Sequence, residues 1–202
     1  MKIVCLSTYP VDEPRHGGQH RLGNIVTALR KAGHDVRSAG VAGSPHYPPS
    51  AYFVEFPDEK AMAAVTDGNS LMDDWGIGEL FGQAGDHFSA LADMIEMTPD
   101  AIFVEQPWMF RFAELYNKKV CGGRAVIFYG SQNIEHHLKF EIVHRYMGEK
   151  VAAACRDNVL ACEVHALDRA AQTFCVSEGD IQWSRRYTQR EPVLAANGVI
   201  DR

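Results

Sequence analysis

Residues 2–41 limit the fold more than any other stretch of the chain. Lys2–Ser7 is a short apolar run that ends in Ser7-Thr8-Tyr9-Pro10, the pattern of a buried strand entering a loop. The segment Val11–Gln19 is polar and carries Gly17-Gly18. Leu22, Ile25, Val26 and Leu29 then recur at the i, i+3, i+4, i+7 spacing of one buried helix face. Arg30 and Lys31 suit the negative end of that helix, and Gly33 suits the residue just past it. Asp35–Val41 reads as a second strand. Strand, loop, helix and strand within about 40 residues form a β-α-β unit, which argues for a parallel sheet. The expected class is therefore α/β, Rossmann-like, with a mainly parallel sheet and helices on both faces.

The alternation continues along the chain. Ala42–Ser50, with Gly43, Pro45, Pro48 and Pro49, is a loop, and Tyr52–Phe56 is a candidate short strand. Asp67–Gly78 is rich in glycine and aspartate, so an exposed, mobile segment is expected there. A helix is predicted from about Glu79 to Met97, then a strand at Ala101–Val104 ending in Glu105-Gln106-Pro107. Met109, Phe112, Ala113 and Tyr116 mark a further helix, stopped by Gly122-Gly123. Ala125–Tyr129 is the next strand. Ile134–Ala171 is helical, as two helices meeting near Gly148, and Thr173–Val176 is a strand. Ser177 with Asp180 three residues on forms an acidic helix-start box, and Pro192–Ala195 is a last strand before the Asn197-Gly198 turn. With no repeat or composition break, residues 1–202 read as one domain.

Composition narrows the function classes. The chain has 202 residues and a formal net charge of −6, without a Lys/Arg block, so it lacks the electrostatic footprint of a nucleic-acid binder. There is no polybasic amphipathic stretch for a membrane surface and no apolar run of the ~18 residues needed to span one. The five cysteines are scattered without a C-x-x-C, which favours free thiols in a reducing, cytoplasmic setting over zinc or disulfide chemistry.

Ligands of parallel sheets bind at the carboxyl ends of the strands, which selects Ser7–Gln19, Glu105–Trp108, Gly130–His137 and Ser177–Asp180. In the first, Gly17 and Gly18 let backbone approach a ligand where a helix begins, and Arg21 adds a fork of donors; a plain surface turn is the structural alternative. Neither G-x-G-x-x-G nor the P-loop pattern is present. In the third, Ser131, Gln132, Asn133, Glu135, His136 and His137 crowd one strand end. Asn133 is also expected to cap the helix that follows, with His136 at its third position. Glu105 is the best remaining strand-end carboxylate. His137, Glu141 and His144 share a helix face, but no second Glu-x-x-His and no H-E-x-x-H accompany them, so a solvated face is expected and no metal.

The order of these motifs resembles the N-terminal half of a GT-B glycosyltransferase of retaining family 4, also called group 1. The matching pieces are Lys2-Ile3-Val4, Gly17-Gly18 with Arg21, Val104 to Trp108, Ser131 to Glu135, Glu163, Val176-Ser177-Glu178, and Asn197-Gly198-Val199 with Asp201. The resemblance implies an acceptor-side domain of an enzyme that moves a sugar from a nucleotide-sugar to a saccharide or lipid-linked acceptor with retention, as in polysaccharide biosynthesis. It implies no cofactor beyond the nucleotide-sugar substrate, and a C-terminal, donor-binding domain that is not in this sequence, without which the chain would be inactive. By the same resemblance Gly17, Gly18, Arg21, Glu105, Asn133 and Glu135 would contact donor or acceptor. Members of the family place a histidine near the sugar where Gln132 stands here, so either Gln132 or His136 would take that catalytic role. A lipid-linked acceptor would bring the domain close to a membrane. The alternative from a different class is a self-contained flavodoxin-like binding or regulatory module.

Overall fold

The computed structural model describes residues 1–198, so Val199, Ile200 and Asp201 of the linker-like segment lie outside the described residues. The strands are β1 (Lys2–Ser7), β2 (Asp35–Val41), β3 (Phe53–Val54), β4 (Ala101–Val104), β5 (Val126–Ser131), β6 (Gln172–Cys175) and β7 (Val193–Leu194). They form one sheet in the order β3-β2-β1-β4-β5-β6-β7, and every neighbouring pair is parallel. The order reverses between β1 and β4. At such a switch point the connections leave in opposite directions and a crevice opens above the strand ends.

Helices α1 (Gly17–Lys31), α2 (Glu59–Thr66), α3 (Asp73–Phe81), α4 (Asp86–Ile95), α5 (Phe110–Lys119), α6 (Glu135–Met147), α7 (Glu149–Arg169) and α8 (Glu178–Ser184) surround the sheet. The alternation of β1 divides the core. Ile3 and Cys5 pack with Leu22 and Val26 of α1, and Phe128 and Phe174 extend this layer half-buried. Val4 and Leu6 face the larger layer, with Phe81 of α3, Leu91 of α4, Phe112 and Tyr116 of α5 and Leu167 of α7. A third cluster joins α6 and α7 around Val143, Val159 and Trp108. No helix is long and apolar enough to cross a membrane among the described residues.

Most expected elements form, and the departures have physical causes. Asp67–Gly78 is ordered structure: a 3-10 turn at Ser70–Met72 leads into α3, and Met72, Ile77 and Gly78 are buried. Gly76 and Gly78 serve packing, since a Cβ would stand 2.5 Å from Thr66 Cγ2 on the first and 2.5 Å from the carbonyl oxygen of Trp108 on the second. The long helix predicted at 79–97 is two helices, α3 and α4, interrupted between Gly82 and Gly85. β5 runs on through Gly130 and Ser131, which pair with Phe174 and Cys175 of β6. Gly17 and Gly18 are not loop residues before a helix but its first two members, with His16 at the N-cap position.

Candidate functional site

The chain leaves β1 through Thr8 and the buried Tyr9, then reaches α1 over a loop stitched by one side chain. Gln19 accepts from the Arg15 N–H at 2.7 Å and donates to the Pro10 carbonyl at 2.6 Å. His16 is extended and its side chain makes no capping bond, and the first turn of α1 carries no acidic residue. The positive end of this helix is thus left without a carboxylate of its own. Gly18 is closely packed: a Cβ there would come within 2.8 Å of Gln132 Oε1 and 2.9 Å of the Tyr9 hydroxyl, so both side chains would have to shift. Gly17 has open space around it. A cleft of about 400 Å³ runs along this end of α1, lined by Gly17, His20, Arg21, Asn24 and Asn197.

Beneath the glycines lies a buried polar network. Glu105, directly after β4, is fully buried. Its Oε1 accepts from Arg21 Nε at 3.0 Å and from Gln132 Nε2 at 2.9 Å, and Gln132 also donates to the Tyr9 hydroxyl. Arg21 Nη1 donates to the Ala195 carbonyl at 2.8 Å and to Asn197 Oδ1 at 2.9 Å. One guanidinium therefore links α1, the end of β4 and the segment after β7. Gly130 makes the room, since a Cβ on it would stand 2.7 Å from Glu105 Oε2. Burial pushes the Glu105 carboxyl up to about 8, against the pull of Arg21 and of the Gln132 hydrogen bond. Burial likewise raises the Tyr9 hydroxyl, with the Glu105 charge adding to it. Next to this network, Gln106 Oε1 accepts from the Thr8 N–H at 2.9 Å and its hydroxyl at 2.7 Å, tying the two exits of the switch point together.

A second cluster forms where β5 gives way to α6. The N-cap position is Ile134, not the expected Asn133, and no local side chain caps the helix. Glu163, buried on α7, does so from outside: it accepts from the Glu135 N–H at 2.6 Å and the His136 N–H at 3.0 Å. The same carboxylate meets His136 Nδ1 at 2.7 Å. His136 is the second helical residue rather than the third, and its ring centroid stands 4.2 Å from that of His137 and 5.1 Å from that of Trp183. Asn133 instead donates to Glu135 Oε1 at 3.3 Å. Burial, with the negative charge of Asp74 adding to it, pushes the Glu135 carboxyl up to about 7. Lys139, one turn on, is held by both Asp74 oxygens at 2.8 and 2.9 Å and by the Leu71 carbonyl at 2.8 Å.

No known protein-family model matches the chain, and no curated protein matches it.

The residues singled out in the sequence thus separate into two groups. Gly18, Arg21, Glu105 and Gln132 form one connected network. Asn133, Glu135 and His136 belong to the other, and no side-chain hydrogen bond joins the two among the described residues. His137, Glu141 and His144 are exposed on α6, and no cluster of three or more potential metal ligands occurs among the described residues. Tyr9, Gln106 and the part played by Glu163 escape sequence reasoning. Glu163 did leave a trace there: it is an acid set among Val159, Cys162 and Ala166, on the face of α7 that must be buried.

Proposed function

We propose that the chain is the acceptor-side, Rossmann-like domain of a cytoplasmic GT-B glycosyltransferase of retaining family 4. In this reading it transfers a sugar from a nucleotide-sugar donor to a saccharide or lipid-linked acceptor. The observation that carries the reading is the uncapped, glycine-opened start of α1 beside the switch point, braced from beneath by Gln132 and Tyr9. Such a helix end offers free N–H groups and half a unit of positive charge, which favours a diphosphate as it takes on negative charge in leaving.

The neighbouring side chains divide the work. Glu105 is a positioning group, since its Oε1 already accepts from Arg21 and from Gln132. Gln132 spends its amide donors on Glu105 and Tyr9, which leaves its carbonyl oxygen facing the first turn of α1 as an acceptor for a ligand hydroxyl. His136, one helical turn from the strand end, is the other candidate to contact the sugar. The nucleotide would be held by a second, donor-binding half, and the acceptor would lie along the α1 cleft.

The reading is tested on the native polypeptide, captured from its source cell with an antibody to this chain and incubated with radiolabelled nucleotide-sugars and acceptor fractions. Transfer with retained anomeric configuration, abolished in Gly18→Val, is the expected result. A polypeptide no longer than this chain that instead binds flavin stoichiometrically would overturn it in favour of a flavodoxin-like module.

A further inference from the structure

We infer that Glu163 is a positioning residue that holds His136 as the Nδ1-protonated tautomer and keeps Nε2 free to accept a hydrogen bond from a ligand hydroxyl at the strand end. Three donors converge on this one buried carboxylate: the N–H groups of Glu135 and His136 and the imidazole Nδ1. A carboxylate offers them acceptor oxygens only, so the ring proton facing Glu163 has to sit on Nδ1. Nε2 is then the acceptor of the neutral ring. It meets no protein donor among the described residues, yet it is not one of the sealed, unpartnered polar atoms of the core.

The ring is held in other respects as well. The rings of His137 and Trp183 pack against it, and its own backbone N–H is held by the same Glu163, so the ring and the helix start are tied to one carboxylate. Glu163 reaches this point from α7, the opposite arm of the helical pair, so the position of His136 depends on the packing of α6 against α7. The same carboxylate occupies two of the first-turn N–H groups of α6, which closes that helix end to an external anion. The α6 end is thereby arranged to present an imidazole to an uncharged hydroxyl. The proton on Nδ1 follows from the geometry, while the hydroxyl partner of Nε2 rests on the transferase reading.

The tautomer is read directly by long-range proton–nitrogen NMR on the chain labelled with nitrogen-15 at histidine, with His136 assigned from His136→Asn. A pyrrole-type Nδ1 and a pyridine-type Nε2 are expected at neutral pH. In Glu163→Gln, whose amide can donate to the ring, the pattern should shift toward the opposite tautomer. A protonated Nε2 in the unaltered chain, or a pattern that ignores Glu163→Gln, overturns the positioning role. The ligand role is tested in the native polypeptide with His136→Asn, whose amide keeps a donor for Glu163 but has nothing at Nε2. Thermal unfolding close to the parent with kcat reduced at least about tenfold is expected; full kcat in that variant overturns the assignment of Nε2. Transfer absent from the unaltered polypeptide would count against the transferase reading and leave the tautomer result standing.

Discussion

Two of the helices that begin at the carboxyl edge of the sheet have first turns finished in opposite ways. α1 follows β1, opens on two glycines, and has neither a capping side chain nor an acid in its first turn. α6 follows β5, and its first two N–H groups are taken by Glu163 reaching across from α7. Both ends carry the same dipole, yet only α1 leaves it to an outside anion. Each end also relies on a buried carboxylate. Glu105 works at one remove, through Arg21 and Gln132, whereas Glu163 touches the helix directly. Equivalent positions in a parallel sheet thus become a candidate charge-binding site and a mount for an imidazole.

This contrast can be broken from either side. The largest effect is expected from Glu163→Ala, which strands two buried N–H groups and the His136 ring; urea unfolding should show a loss of about 3–5 kcal/mol. Next comes the pH dependence. Glu105 and Glu135 have folded-state values raised to about 8 and about 7, so each binds its proton more tightly folded than unfolded. Their contribution is fully present below the ordinary carboxylate range and is lost as pH rises through those values. Stability should therefore fall as pH rises from 5, up to about 7 for Glu135 and up to about 8 for Glu105, by at most about 1.4 kcal/mol per unit for each carboxyl, and Glu105→Gln should flatten the profile.

Gly18→Ala should cost about 1–3 kcal/mol, because Gln132 and Tyr9 must give way to the new methyl group. Inorganic pyrophosphate is expected to shift the amides of Gly17 and Gly18 in the parent chain, and the same variant should lose those shifts; shifts at Glu135 and His136 in the parent chain would argue against the division between the two ends. His16→Asp gives α1 the carboxylate that α6 already has. It should raise stability by about 1 kcal/mol and weaken pyrophosphate binding, both measurable by calorimetry. Asn133→Ala is the smallest change, below about 0.5 kcal/mol in thermal unfolding, since Asn133 does not cap the helix. A loss near 1 kcal/mol would restore it as a cap.

Several features were legible in the residues because they depend on neighbours in the chain. The first β-α-β unit follows from the spacing of Leu22, Ile25, Val26 and Leu29, and Ser177 accepts from the Asp180 N–H as its short-range box requires. Asp67–Gly78 shows the limit of that reasoning. Glycine and aspartate signal a loop only when nothing packs on them, and the approach of Trp108 to Gly78 is a contact between distant segments. The cap of α6 fails as a sequence prediction for the same reason. Asn133 has the right chemistry locally, but Glu163, placed beside the helix start by the pairing of α6 with α7, takes the N–H groups.

The sequence by itself determined the parallel α/β class, the strands that form the sheet and the loops that gather at its carboxyl edge, because apolar periodicity and helix-end chemistry act over a few residues. Only the tertiary structure decided which polar residues meet. Arg21, Glu105 and Gln132 are far apart in the chain, and what joins them is a buried space that an unpaired charge cannot occupy without partners. Burial makes such partnerships obligatory, and burial is a property of the folded whole.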